Sequence, residues 1–405
     1  RAGSAAPGPA GAGPSCDAPA AVVGRPAQII SAQIVTEASE VFHRLFVSPG
    51  GWRRAALCVA VACLAVLPLG RGSAPALAAD DMCPEPNSAY QQSCLLPPNA
   101  PASSFLTSPD DADYFRIEVL DFGVTVNLQM VDAPRPYRMT IQNWEGKPVA
   151  STKSLPNDDV ERSVQFKPAA PGSYYVLVDA LYDGPDDVSP AEPYRILYKP
   201  EYPGPIPRIA YAADFRQPAL EFSGTREWGT YSTKDSRYQV EMLKRGTGNE
   251  AAVAVAWWGE EYTDFTAATD VKLTVPGQQA GFTIGFRGHA HDAGETLRPD
   301  QVDLESAYLL LANTAKLEVA LLRMQNDKPE LLVPWMAVKS MRPGDQINHV
   351  VVRSTGATHI VNVNGEEVIK LNDPGLAGGK LILGALSFGD PVTVIYDNLL
   401  VTTPP

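Results

Sequence analysis

Cysteine is scarce in this chain, five residues in 405, and only Cys83 and Cys94 lie beyond residue 63. Two cysteines with no histidine nearby make a poor metal site, because structural zinc takes four ligands. Basic residues are in the minority, 33 against 46 acidic for a net charge of −13. A nucleic-acid binder carries a basic face, so that class is excluded. Long apolar runs are missing as well. The longest, Ala55 to Leu69, has 15 residues, short of the roughly 20 that span a bilayer. No catalytic motif rises above background. What is present is 45% hydrophobic and 20% charged residues, enough to bury a core, over a length that allows two or three domains.

The first 78 residues differ from the rest, with six basic residues against three acidic. The chain opens on Arg1 and its first methionine is Met82. Residues 1–50 are rich in Ala, Gly and Pro, and read as an unstructured or mis-called upstream segment. Residues 51–78 read as a secretory signal: Arg53-Arg54, the apolar run, then Ala74-Pro75-Ala76-Leu77-Ala78 with small residues before a cleavage point. A retained membrane anchor is the rival reading, and a lipoprotein would need Cys63. The expected mature chain is secreted or held in the cell envelope and has no stable membrane span. In an oxidising compartment Cys83 and Cys94 are expected to form a disulfide that pins residues 79–104; free thiols are the alternative.

From about residue 105 short alternating runs are separated by Pro, Gly, Asn and Asp. Tyr114 to Val119, Val124 to Leu128, Tyr137 to Ile141, Ser173 to Val178 and Tyr194 to Tyr198 all alternate. The spacing predicts an antiparallel sandwich over 105–199. Residues 200–207 hold four prolines and predict a stiff linker that keeps two units apart. Residues 208–405 are strand-rich again. Asn364-Gly365 between alternating arms predicts a hairpin with a type I′ turn. Leu304 to Met324 has helix-forming composition, but its alternation predicts two strands around Asn313-Thr314. The predicted fold class is all-β: two antiparallel β-sandwich domains of jelly-roll type after a signal segment.

Two resemblances rest on these residues. Asp110-Asp111-Ala112-Asp113-Tyr114-Phe115, followed by Pro171-Gly172-Ser173-Tyr174-Tyr175-Val176, resembles the bacterial pre-peptidase C-terminal domain over about 100–200. That resemblance implies a non-catalytic accessory sandwich, in a family where some members bind calcium or fibrous substrates. Asp110, Asp111 and Asp113 read first as turn formers that cap backbone amides, and as calcium ligands second. Ala213-Asp214-Phe215, Gly281 to Arg287, Asn348 to Val352 and the closing Ile395 to Val401 resemble the concanavalin A-like jelly-roll superfamily, in its laminin-G-like and 3-keto-disaccharide hydrolase branches. In such jelly rolls the first and last strands are neighbours and an ion often sits at that edge. Asp214 and Asp397 are therefore candidate ligands for a structural calcium ion. The plainer alternative is that both bond nearby amides or basic side chains.

Candidate ligand contacts lie elsewhere. Trp257-Trp258 on a strand turn to opposite faces, and an open Trp258 suits stacking on a sugar ring, with Arg287 bonding hydroxyls. His289 in His289-Ala290-His291 follows at a strand end and reads as a loop residue or as a ligand contact. Glu260 and Asp264 are the nearest approach to a glucanase carboxylate pair, but the segment reads as a solvated loop. The expected function is a secreted, non-catalytic protein that binds carbohydrate or another cell-surface polymer and requires no cofactor. The alternatives are a glycoside-processing hydrolase and a structural envelope protein.

Overall fold

The computed structural model describes residues 81–405 apart from 156–158, 183, 217–222, 226–228, 244–251, 275–279, 291–303, 327 and 390. The proposed signal segment lies outside the described residues. Among the described residues no helix is long and apolar enough to cross a membrane.

Alternation builds the first sandwich. Ala112–Val119 buries every second side chain, so Phe115, Ile117 and Val119 share one face. Gly172–Ala180 pairs antiparallel with it, Tyr174 opposite Ile117, and pairs on its other edge with Tyr137–Gln142. Pro148–Ser151 closes one edge of this five-stranded sheet, and Cys94–Leu95 closes the other by running parallel to Ala112–Val119. The facing sheet has Pro101–Ser104, Tyr194–Glu201, Thr125–Asp132 and Ser163–Phe166 in that order. One core fills the gap, with Phe115, Ile117 and Val176 from one sheet against Val126, Leu128, Ile196 and Tyr198 from the other.

The second sandwich is organised around its last strand, Thr393–Thr403. It pairs antiparallel with Phe265–Leu273, Arg237–Met242 and Arg208–Ala213, so first and last strands are neighbours as expected. The sheet extends through Asn348–Thr355, Thr358–Val363 and Glu366–Asn372. The turn between the last two carries φ values of 53° at Asn364 and 85° at Gly365, as a type I′ turn requires. The opposing sheet runs Ala252–Tyr262, Gly379–Ser387, Ala280–Ala290, Leu304–Asn313, Glu318–Gln325 and Lys328–Ala337. Leu304 to Met324 is thus two strands. Tyr238, Val271, Val350 and Tyr396 pack against Ala254, Phe282, Phe286 and Leu310 between the sheets. The Tyr396 hydroxyl donates to the Thr283 carbonyl across the sandwich (2.9 Å).

Three local expectations are corrected. Glu260 and Glu261 lie in the strand Ala252–Tyr262, not in a loop, because a register shift after Trp258 lets the strand run on to Tyr262. His289 is likewise in the strand Ala280–Ala290. The proline-rich segment does not keep the two sandwiches apart. Glu201 is still paired in a strand, and the units meet over a shared joint. Ala170 and Phe122 pack there on Ala268 and Val351. The Arg353 guanidinium pairs with Asp121 and lies 4.7 Å from the Phe122 ring centroid. Thr402 Oγ1 donates to the Leu120 carbonyl (3.2 Å).

Candidate functional site

Backbone carbonyls absorb two of the predicted ligand residues. Arg287 is only 2% exposed. Its Nη1 donates to the Leu376 carbonyl (2.6 Å) and its Nη2 to the Thr263 carbonyl (2.8 Å). His289 Nε2 lies 2.7 Å from the Gly378 carbonyl. Both side chains tie the loops at one end of the second sandwich. The Trp258 backbone registers with Leu381, and its side chain lies outside the described residues, as does His291. Asp264 Oδ1 accepts from the Gly356 amide (2.8 Å).

Asp214 and Asp397 both reach the joint and both have cationic neighbours. Asp214 Oδ2 accepts from Arg116 Nη1 across the joint (2.8 Å), and its Oδ1 accepts from the Arg216 amide (3.2 Å). Its carboxyl is held below the usual range; burial opposes this, and the bonds to Arg116 outweigh it. Asp397 lies 3.5 Å from Arg237 Nε. Burial, with Asp270 opposite it in register, pushes the Asp397 carboxyl up to about 7.

A different acidic group has the donor set of a cation site. Glu85, Asp111 and Asp113 each place a carboxylate oxygen within 4.8 Å of the others. Glu85 sits in the loop closed by the disulfide Cys83–Cys94 (Cα–Cα 5.5 Å), which brings it over the start of the strand Ala112–Val119. Asp111 acts as the expected turn former: its Oδ2 accepts from the Thr107 amide and hydroxyl (2.7 and 2.9 Å). Asp113 does not. It is fully buried, accepts from Asn87 Nδ2 (2.6 Å) and the Tyr194 hydroxyl, and burial pushes its carboxyl up to about 7. Asn87 Oδ1, on the amide whose nitrogen bonds Asp113, is buried without a partner among the described residues. Three carboxylates within that 4.8 Å reach are a set of hard oxygen donors, which suits calcium. The sequence signalled Asp111 and Asp113 but not Glu85 or Asn87.

Between the sandwiches lies a cleft that sequence reasoning missed, Asp397 apart. Tyr90 and Trp144 line it from the first unit; Arg237, Asp270, Lys272, Ile347, Asp397 and Asn398 line it from the second. An adjoining recess shares Tyr90, Asp397 and Asn398 and adds Arg116, Tyr175 and Asp214. Tyr90 is half-buried, on the short turn Tyr90–Gln92 inside the disulfide loop, and packs on Tyr175 with centroids 5.2 Å apart. Asn398 Nδ2 donates to the Tyr175 hydroxyl and to Asp270 Oδ2 (both 2.8 Å), bridging the units. Trp144 is only 5% exposed, so it is the Tyr90 ring that can stack on an apolar ring face while the amides, carboxylates and cations around the opening bond its polar edge.

No family model matches the chain, and no curated protein matches it. Among solved structures it is similar to the carbohydrate-binding module CBM66 from Bacillus subtilis (13% identity, 44% of this chain and 99% of that one, TM-score 0.33). It is similar also to a Bacillus subtilis protein of unknown function with a galectin-like fold (14% identity, 49% and 100%, TM-score 0.37). A third is SCLam, a non-specific endo-β-1,3(4)-glucanase of family GH16 (11% identity, 49% and 92%, TM-score 0.35). At such identities and TM-scores these likenesses carry no argument about ligand or activity.

Proposed function

We propose that the chain is an exported binding protein that takes a carbohydrate or a similarly hydroxylated cell-surface polymer in the cleft between its sandwiches. The observation that carries this reading is the composition of the cleft: the half-buried Tyr90 of one unit faces Arg237, Lys272, Asp397 and Asn398 of the other. Sugars offer apolar ring faces and a rim of hydroxyls, which such a set of side chains complements. The full chain is tested on a glycan array and on insoluble chitin and β-glucan. Tyr90→Ala and Lys272→Ala are each expected to weaken retention about tenfold, the equivalent of roughly 1.4 kcal/mol. Retention that both variants leave unchanged, or no retained glycan at all, overturns the reading.

Asp270 and Asp397 favour a second reading. They are paired across adjacent strands, where facing side chains lie about 4.5–5.5 Å apart at Cβ, and Asp397 is the one pushed up to about 7. A protonated acid beside a second carboxylate is the arrangement glycoside hydrolysis uses. Release of reducing ends from a retained glycan, abolished by Asp397→Asn, would select hydrolysis over binding.

Calcium is proposed at Glu85, Asp111 and Asp113. Saturating calcium should raise the melting temperature of the full chain and chelation should reverse the shift; at 100 times Kd, linkage gives about 2.7 kcal/mol. Asp113→Asn removes a charge from a buried place, so it should leave the calcium-free protein at least as stable and abolish the calcium shift. A shift that persists in that variant places the ion elsewhere.

A further inference from the structure

The joint holds one buried histidine with an oxygen against each of its ring nitrogens. His349 is 1% exposed. Its Nδ1 lies 2.7 Å from Asp270 Oδ1 and its Nε2 lies 2.6 Å from the Pro171 carbonyl oxygen. A carbonyl only accepts, and so does an ionised carboxylate, whereas a neutral imidazole has one N–H and one lone pair. With Asp270 ionised, either neutral tautomer points a lone pair at an oxygen inside a buried site, where the repulsion is poorly screened. The imidazolium donates to both. It also lies flat on Trp144, with centroids 4.2 Å apart and planes at 18°, and an indole face attracts a cation.

All of this spans the joint, since Pro171 and Trp144 belong to the first sandwich and Asp270 and His349 to the second. The approach is tight. A Cβ at Gly172, where φ is 133°, would come within 2.5 Å of the His349 ring, so glycine is needed there.

We infer that His349 is a proton-operated clasp: the docked arrangement of the two sandwiches holds it as an imidazolium, and loss of that proton undocks them. Deprotonation turns one of two charge-assisted bonds into a repulsive contact and removes the cation from Trp144. The titratable and charged groups around the pair come from every neighbouring element. Asp270 faces the ring from Phe265–Leu273, and Asp397 lies opposite Asp270 on the closing strand. Tyr174, Tyr175 and Glu118 feel Asp270 from across the joint, and Arg342 pairs with Glu145 next to Trp144. Arg237 beside Asp397 and Arg116 beside Glu118 offset those carboxylates, and Lys272 lines the same cleft, so the charge that favours the imidazolium is Asp270, 2.7 Å from Nδ1. The clasp operates whether or not the cleft takes a ligand.

The full chain, labelled with 15N-histidine, tests the inference. In the docked protein both His349 ring nitrogens should carry the shifts of protonated nitrogen, with the signal assigned by its loss in His349→Gln. As pH rises, small-angle scattering should report a larger radius of gyration over the same interval in which those shifts change. Asp270→Asn offers an amide hydrogen to a neutral Nδ1 while Nε2–H still serves Pro171. That variant should therefore stay compact to a pH higher by at least about one unit. A neutral His349 tautomer in the compact protein overturns the inference, as does a radius of gyration that stays constant while the ring titrates. If His349→Gln does not fold, Asp270→Asn and the radius measured on the parent still decide.

Discussion

Arg287→Ala should unfold the second sandwich more readily by about 3–5 kcal/mol, while the ligand affinity of the protein that remains folded stays as it was. The guanidinium is 2% exposed and is bonded to the carbonyls of Leu376 and Thr263. Its removal strands two acceptors, each costing about 1–3 kcal/mol when buried, and empties the volume beside them. Arg287→Lys keeps the charge but not the planar fork that spans both carbonyls, so it should lose about half as much. Denaturant midpoints set beside glycan affinity measured on the folded fraction check this. A stable Arg287→Ala protein that has lost its ligand would return Arg287 to the binding role its sequence position suggested.

Replacing Cys83 and Cys94 together by serine should have effects of a different kind. The cysteines are 11 residues apart, and the chain-entropy model assigns about 3 kcal/mol to a loop of that order. For a unit the size of the first sandwich this corresponds to a fall in melting temperature on the order of 10–20 °C. The loop carries Glu85 and Asn87 to the acidic cluster and Tyr90 to the cleft. The serine variant should therefore also lose its calcium shift and bind glycan more weakly. Thermal unfolding with and without calcium, paired with a binding isotherm, measures both. An undiminished calcium shift would mean that Glu85 and Asn87 reach Asp113 without the bridge.

Local patterning accounts for what was legible in the sequence. Tyr114 to Val119 and Tyr137 to Ile141 alternate because one face of each strand is buried, and Asn364-Gly365 marks its turn because only certain residues take positive φ there. The joint left no such trace. His349 sits in a strand marked only by its run Val350-Val351-Val352, and its partner Pro171 is 178 residues away. No spacing rule connects two such positions. Arg287 misled for the converse reason: a cation at a strand end suggests an open surface, and only the folded chain shows two carbonyls closing over it. Glu85 was passed over because its cluster depends on how the disulfide loop folds back, which a cysteine count does not specify.

The place of Thr393–Thr403 has a consequence for how the protein is made. This strand pairs with three others and carries Asn398 to the joint, yet it emerges from the ribosome after every other strand of its sandwich. The first sandwich can close once Tyr194–Glu201 has emerged, since its partners precede it. The second cannot, because Arg208–Ala213 waits almost 190 residues for its neighbour. During synthesis a folded domain would trail a long stretch of unpaired strand edges, the condition under which nascent chains aggregate. That stretch is where a holding chaperone would act, and late premature termination would leave the first sandwich folded and the second without its central strand.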